Sequence, residues 1–126
     1  METELSFINL LEYEKYRTYR YILDVSDLYE YLTDPAHSYT IFMYPDEYLQ
    51  HVFSHYDLMD MTQLKARKFI LSRTIPSRIT HNMITSMPPG SYLLAIDGIS
   101  KLYTDKLIIE NANVEVGNNL IVEIGI

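Results

Sequence analysis

The chain has no cysteine, no tryptophan and only four glycines in 126 residues. Without Cys there are no disulfides and no thiolate metal sites, an absence that favours a reducing compartment. Four glycines leave neither a P-loop nor a G-x-G-x-x-G cradle, which disfavours nucleotide binding through backbone amides. No apolar run approaches the roughly 20 residues that a membrane span needs. The segment METELSFINLLEYEK carries acids ahead of its apolar stretch, the reverse of the basic start of a secretory signal. A cytoplasmic location is the expectation, in the host cytoplasm if the protein is viral.

Bases are missing from one stretch. Between Tyr21 and Leu64 stand eight acids (Asp24, Asp27, Glu30, Asp34, Asp46, Glu47, Asp57, Asp60) and no Lys or Arg. Between Met61 and Ile96 the pattern inverts, with Lys65, Arg67, Lys68, Arg73 and Arg78 and no acid. Ten of the twelve tyrosines precede Asp57, so the acidic segment is also the aromatic one. The net charge of −7 disfavours direct binding to nucleic acid, which rests on neutralising phosphates. It disfavours an anionic membrane for the same reason. A basic protein surface is the favoured partner.

The residues present read as a single α+β domain over residues 1–126, mixed helix and strand through residue 90 and β-rich from 91 to 126. Helices mainly in the N-terminal two-thirds are expected to pack on a mostly antiparallel sheet. Leu5, Ile8 and Leu11 predict a helix over residues 4–16. The alternation of Tyr19, Tyr21, Leu23 and Val25 then predicts a half-buried strand over 18–25. Ser26 or Asp27 is placed to cap a helix running to Asp34, which Pro35 ends. SYTIFMY, residues 38–44, is apolar on both faces and reads as an interior strand.

Pro45 opens a helix whose Leu49, Val52, Phe53 and Tyr56 form one core-facing stripe. Residues 62–75 fit two descriptions, a helix capped by Thr62 through Leu71 or a strand over Lys68–Ile75. The favoured one is a helix or turn start running into that strand. Ile79, Met83, Ile84 and Met87 share a helical face that Pro88-Pro89-Gly90 terminates. Beyond Gly90, short β runs split by turn residues predict a C-terminal meander of four or five strands. Asp97-Gly98 signals a two-residue hairpin, and Asn111–Asn113 and Gly117–Asn119 signal further turns. The apolar end, Ile124-Gly125-Ile126, implies a last strand that is buried or paired in an oligomer, or a domain cut from a longer chain.

Four constellations are candidates for function. Glu47, His51 and His55 fall at i, i+4 and i+8 on a continuous helix, where the His pair is a weak candidate for Zn²⁺ or non-haem iron. The serines lack a G-x-S-x-G elbow, so no catalytic residue and no cofactor is assigned. The basic stretch KARKFILSR with Arg78 either grips phosphates or neutralises the acidic block within the fold, and the second is preferred. The fourth is the acidic block. If residues 24–34 are helical, Asp24, Asp27, Glu30 and Asp34 lie on one face with Tyr31. Their charges recur about every 4.5–6 Å along the axis, sparser than the ~3.4 Å of a DNA strand. That spacing indicates an acid-and-tyrosine docking face rather than a literal DNA mimic, and tyrosine suits such a face by adding rigid contact area. Asp46 and Glu47 extend it.

The expectation is therefore a non-catalytic protein-binding module. It would be a small acidic inhibitor or immunity-type, anti-defence protein of a virus or mobile element, docked on a basic partner such as a nucleic-acid enzyme. Two alternatives stand beside it. One is a structural or assembly subunit, of a virion or larger complex, pairing through its β-rich C-terminal part as a homo-oligomer. The other is a metal-dependent enzyme using Glu47, His51 and His55.

Overall fold

Thr40–Met43 form β1, a strand whose four side chains are all buried. A strand buried on both faces must lie inside a sheet covered on both sides, and that is its position. The computed structural model describes residues 7–125. In it β1 pairs antiparallel with β2 (Thr74–Ile75) and parallel with β6 (Asn119–Gly125), and β6 pairs antiparallel with β5 (Ile108–Val116). The strand order is β2-β1-β6-β5. The one parallel pair makes the sheet mixed, and its other pairings are antiparallel.

Because successive side chains of a strand point to opposite faces, β1 and β6 feed two cores. Ile41, Met43 and Ile121 pack against a helical layer. That layer contains α1 (Phe7–Leu11), α2 (Arg17–Ser26), α3 (Tyr29–Leu32) and α6 (Gln63–Leu71). Phe42, Val122 and Ile124 pack against the other side, with Ile84 of α7 (His81–Thr85) and Leu93. Leu93 belongs to a separate two-stranded sheet of β3 (Tyr92–Leu94) and β4 (Lys101–Tyr103). Two short helices, α4 (Asp46–Val52) and α5 (His55–Met59), connect β1 to α6. The result is an α+β fold with a C-terminal β-meander.

Several elements differ from expectation, each for a local reason. Residues 4–6 of the expected first helix lie outside the described residues; α1 ends at Leu11, and a single 3-10 turn, Glu14–Tyr16, follows. Residues 18–25 are helical rather than extended. Tyr19, Ile22, Leu23 and Ser26 are the buried side chains of α2, while Tyr21, on the expected core face, is 42% exposed. Residues four apart, such as Tyr19 and Leu23, satisfy both a period of 2 and one of 3.6, so they do not discriminate.

Ser26 and Asp27 end a helix instead of starting one. The Ser26 hydroxyl donates back to the Leu23 carbonyl at 2.6 Å, and Asp27 takes the left-handed conformation (φ 57°), as residues just past a helix end commonly do. The chain resumes helix only from Tyr29 to Leu32, so no continuous helical stripe runs from Asp24 to Asp34. The helix opened by Pro45 also breaks. Phe53 is extended (φ −123°, ψ 133°), and Ser54 starts α5 through a reciprocal capping box with Asp57. Val52 and Tyr56, expected in the core, are 38% and 77% exposed.

Thr62 caps α6, its hydroxyl accepting from the Lys65 amide. Ala66, Phe69 and Ile70 bury at helical spacing, so the strand expected over Lys68–Ile75 shrinks to Thr74–Ile75. Met83 of α7 is 45% exposed, off the face expected for it. Asp97-Gly98 sits in a longer loop closed by the Ala95 amide on the Ser100 carbonyl at 2.9 Å. Only Gly98 of that pair has positive φ, because the Asp97 carboxylate accepts from the Ile99 and Ser100 amides instead. Asn111 lies within β5, where the register shifts twice, making the expected turn a bulged strand.

Candidate partner-docking surface

The carboxylates chosen from sequence sort into two groups. Asp24, Asp27, Glu30, Tyr31 and Asp34 are all exposed, around the end of α2, α3 and the loop after it. This ridge is bolted to the sheet. The buried Asn119 side chain accepts from the Tyr39 amide at 2.8 Å and donates to the Leu32 carbonyl at 2.7 Å. Asn118 donates to the Pro35 carbonyl at 2.9 Å. Arg67 Nε donates to the Ser26 carbonyl at 2.7 Å, placing a cation at the negative end of α2. The Tyr31 ring stacks on Tyr39, centroids 5.8 Å apart. Burial, with the Tyr31 hydroxyl and the Asp34 charge beside it, pushes the Tyr39 phenol up to about 12. A cavity of about 340 Å³ opens beside the ridge, with Asp34, His37 and Asn118 in its lining.

The second group surrounds α4 and α5. The Asp46 carboxylate accepts from the Thr18 amide at 2.8 Å, capping α2 from a distant part of the chain. Glu47 and His51 are exposed on α4, and His55 begins α5. The break at Phe53-Ser54 removes the i, i+4 relation that a shared metal requires. Among the described residues no group of three or more His, Asp or Glu side chains is placed to hold a metal ion.

The basic stretch lies beside the acidic block but makes no ion pair with it among the described residues; only Lys65 acts on it, its charge adding to the Ser54 hydrogen bonds that hold the Asp57 carboxyl below its usual range. Among the described residues the ion pairs are Lys15–Glu123, Arg17–Glu14 and Arg78–Glu115. None involves Asp24, Asp27, Glu30, Asp34 or Glu47. Arg67 serves the end of α2, and the Arg73 guanidinium lies over the Phe69 and Tyr44 rings at 4.6 and 5.4 Å. Arg67 and Arg73 are thus used on a backbone carbonyl and on aromatic faces, and Arg78 on Glu115, so among the described residues no ion pair offsets the acidic ridge.

Two further features were not foreseen. Glu123, on the helical side of β6, accepts from the Tyr16 hydroxyl at 2.7 Å and from Lys15 Nζ at 2.9 Å. Burial and the Glu123 carboxylate hold the Tyr16 phenol well above its usual range. These partners are more than a hundred residues apart in sequence, so no local pattern signals them. The other is a groove of about 390 Å³ between α2 and α5, lined by Arg17, Thr18, Tyr21, His55, Leu58 and Met59.

No protein-family model matches the chain, and no curated protein matches it significantly. What is defined is a class, an α+β protein in which no described helix is long and apolar enough to cross a membrane.

Proposed function

We propose that this chain is a non-catalytic binding protein that docks an acidic, tyrosine-bearing surface on a basic partner. The partner class is a nucleic-acid enzyme or similarly basic protein, and the role is that of a small inhibitor or anti-defence protein acting in the cytoplasm. One observation carries the proposal. Asp24, Asp27 and Glu30 are exposed and unpaired among the described residues, and they flank a tyrosine held in place by a ring stack. Unpaired carboxylates steer encounter with a positive surface, and a pre-positioned Tyr loses little entropy on contact.

The test is capture of partners from the native host with wild type and with an Asp24→Asn/Asp27→Asn/Glu30→Gln/Asp34→Asn variant. Asn keeps the hydrogen bond that Asp34 accepts from the Ala36 amide and tolerates the left-handed position of Asp27. The variant is expected to lose the wild-type partner and the salt dependence of its capture. Equal capture by both proteins refutes the proposal.

A second role, assembly through the C-terminal β part, is favoured by the β3–β4 hairpin. Tyr92, Leu94 and Tyr103 are 47%, 47% and 40% exposed on it, and Ile99 at its tip is 81% exposed. Light scattering decides this one: a monomer at high concentration excludes self-assembly through the hairpin.

A further inference from the structure

The cavity of about 340 Å³ beside the acidic ridge is walled by α3 and the loop after it on one side and by the β5–β6 turn on the other. Ligand sites run from about 300 to 1,000 Å³, so this one suits a side chain rather than a large molecule. Its walls are held from outside. Asn118 and Asn119 tie the turn to the Pro35 and Leu32 carbonyls, and Phe7 stacks on Tyr29 with centroids 5.9 Å apart. An occupant therefore need not order them.

The hydrogen-bond inventory says what fits. The side-chain donors of the lining are engaged. Thr33 Oγ1 donates to the Tyr29 carbonyl at 2.8 Å, the Asn118 and Asn119 amides donate to the carbonyls just named, and Pro35 has no N–H. The acceptors are open. Asp34 Oδ1 accepts from the Ala36 amide at 2.9 Å, while Asp34 Oδ2 and Asn118 Oδ1 have no donor among the described residues. No Lys or Arg belongs to the lining. The cation at the turn, Arg78, bonds the Asn118 carbonyl at 3.2 Å and is paired with Glu115. The other titratable side chain of the lining, His37, lies tilted against the Tyr39 ring.

A carboxylate oxygen and an amide oxygen without donors, beside the half-buried Tyr29 ring, call for a positive group that only donates. Guanidinium is such a group: it has five N–H donors and no acceptor, its fork matches a carboxylate, and its flat face stacks on rings. An anion is repelled by Asp34, and a neutral polyol brings acceptors to a lining already rich in them.

We infer that this cavity is a socket for one arginine side chain of the partner protein, its guanidinium held by the Asp34 carboxylate and the Asn118 amide oxygen against the Tyr29 ring. The inference deepens the acidic-surface proposal and rests on that reading for the source of the arginine.

The probe is a blocked Gly-Arg-Gly peptide, titrated against the backbone amide NMR spectrum beside the same peptide carrying lysine or citrulline, the neutral isostere of arginine. The arginine peptide is expected to bind tightest and to shift Thr33, His37 and Asn118, with lysine weaker and citrulline silent. Asp34→Asn keeps the acceptor for the Ala36 amide and should lose about tenfold or more in affinity, as removal of a charged hydrogen-bond partner does. The Asp24→Asn/Asp27→Asn/Glu30→Gln variant retains Asp34 and should keep the preference for arginine over citrulline. An otherwise unchanged spectrum verifies the fold of each variant. Shifts spread along the ridge instead of centred on the cavity, equal response to arginine and citrulline, no binding, or no loss in Asp34→Asn overturns the inference. So does tighter binding of free arginine than of the blocked peptide, which assigns the cavity to a small molecule. The titration needs no partner, so the two readings fail separately: a partner lost by the quadruple variant yet kept by Asp34→Asn alone overturns the socket and leaves the docking surface standing.

Discussion

The segments around Asp24–Asp34 and around Ser54–Leu64 are both acidic, both free of Lys and Arg, and both built of broken helices. They differ in how they are held. The first is tied down by Asn118, Asn119 and Arg67 and by the Tyr31–Tyr39 stack, so its carboxylates stand on a fixed support. The second contributes an α5 held by the half-buried Leu58, which packs against the core, and by the Tyr21 hydrogen bond, while Tyr56 and Met59 are exposed. The same charge pattern thus lies on two different supports: a ridge tied to the sheet by side-chain hydrogen bonds, and a short helix held chiefly through Leu58 and Tyr21.

Removing the anchor of the ridge gives the largest expected effect. Asn119→Ala leaves the Tyr39 amide and the Leu32 carbonyl buried and unpaired, and should cost about 3 kcal/mol in urea unfolding. Arg67→Met comes next, at about 1–2 kcal/mol, because the stem still packs while the bond to the Ser26 carbonyl is lost. If either substitution proves neutral, the ridge is not anchored as described.

High pH probes the same anchored side. Burial raises the phenols of Tyr16 and Tyr19, the latter opposed by the Arg73 charge, and raises Tyr39 to about 12. Groups with raised folded pKa values contribute stability that is fully present below the unfolded value of about 10 and lost as pH rises beyond it. The contribution of these phenols to unfolding free energy should therefore be constant from neutral pH to ~10 and fall above it. Tyr16→Phe should lower stability at neutral pH, where the Glu123 bond is lost, and make that alkaline fall shallower. An unchanged alkaline slope contradicts the account.

On the α5 side the effects are smaller. Tyr21→Phe removes an exposed hydrogen bond to Leu58 and should cost about 0.5 kcal/mol globally. Local opening is the sharper readout. In native-state hydrogen exchange the α5 amides should exchange well before those of α2, and Tyr21→Phe should speed α5 alone. Protection of α5 equal to that of α2 would erase the contrast between the two segments.

Much of this was legible in local sequence, and the misses share a cause. β1 was readable because Ile41, Phe42 and Met43 are apolar without a break, which only an interior strand tolerates. The Gly117-Asn118 turn and the proline stop at Pro88-Pro89 followed from residues whose backbone preferences are strong and local. Residues 18–25 were not readable, since Tyr19 and Leu23 fit both periods and the packing of α2 on α6 decided between them. Ser26-Asp27 was ambiguous, and the cap at Ser54 was passed over, because a hydroxyl that bonds backward ends a helix and one that bonds forward starts it. The candidate docking residues Asp24, Asp27 and Glu30 were visible as charges, whereas the Tyr21–Met59 groove was hidden because residues 18–25 read as a strand and the helix opened by Pro45 read as unbroken.

By itself, the sequence determined the α+β class, the interior position of β1 and the segregation of acids from bases, because burial pattern and charge are properties of the residues themselves. Only the tertiary structure decided where the helices break, which carboxylates are engaged and which remain free. Those outcomes depend on contacts between distant segments, such as Asp46 on Thr18, Asn119 on Leu32 and Glu123 on Tyr16, and no local pattern encodes a partner dozens of residues away.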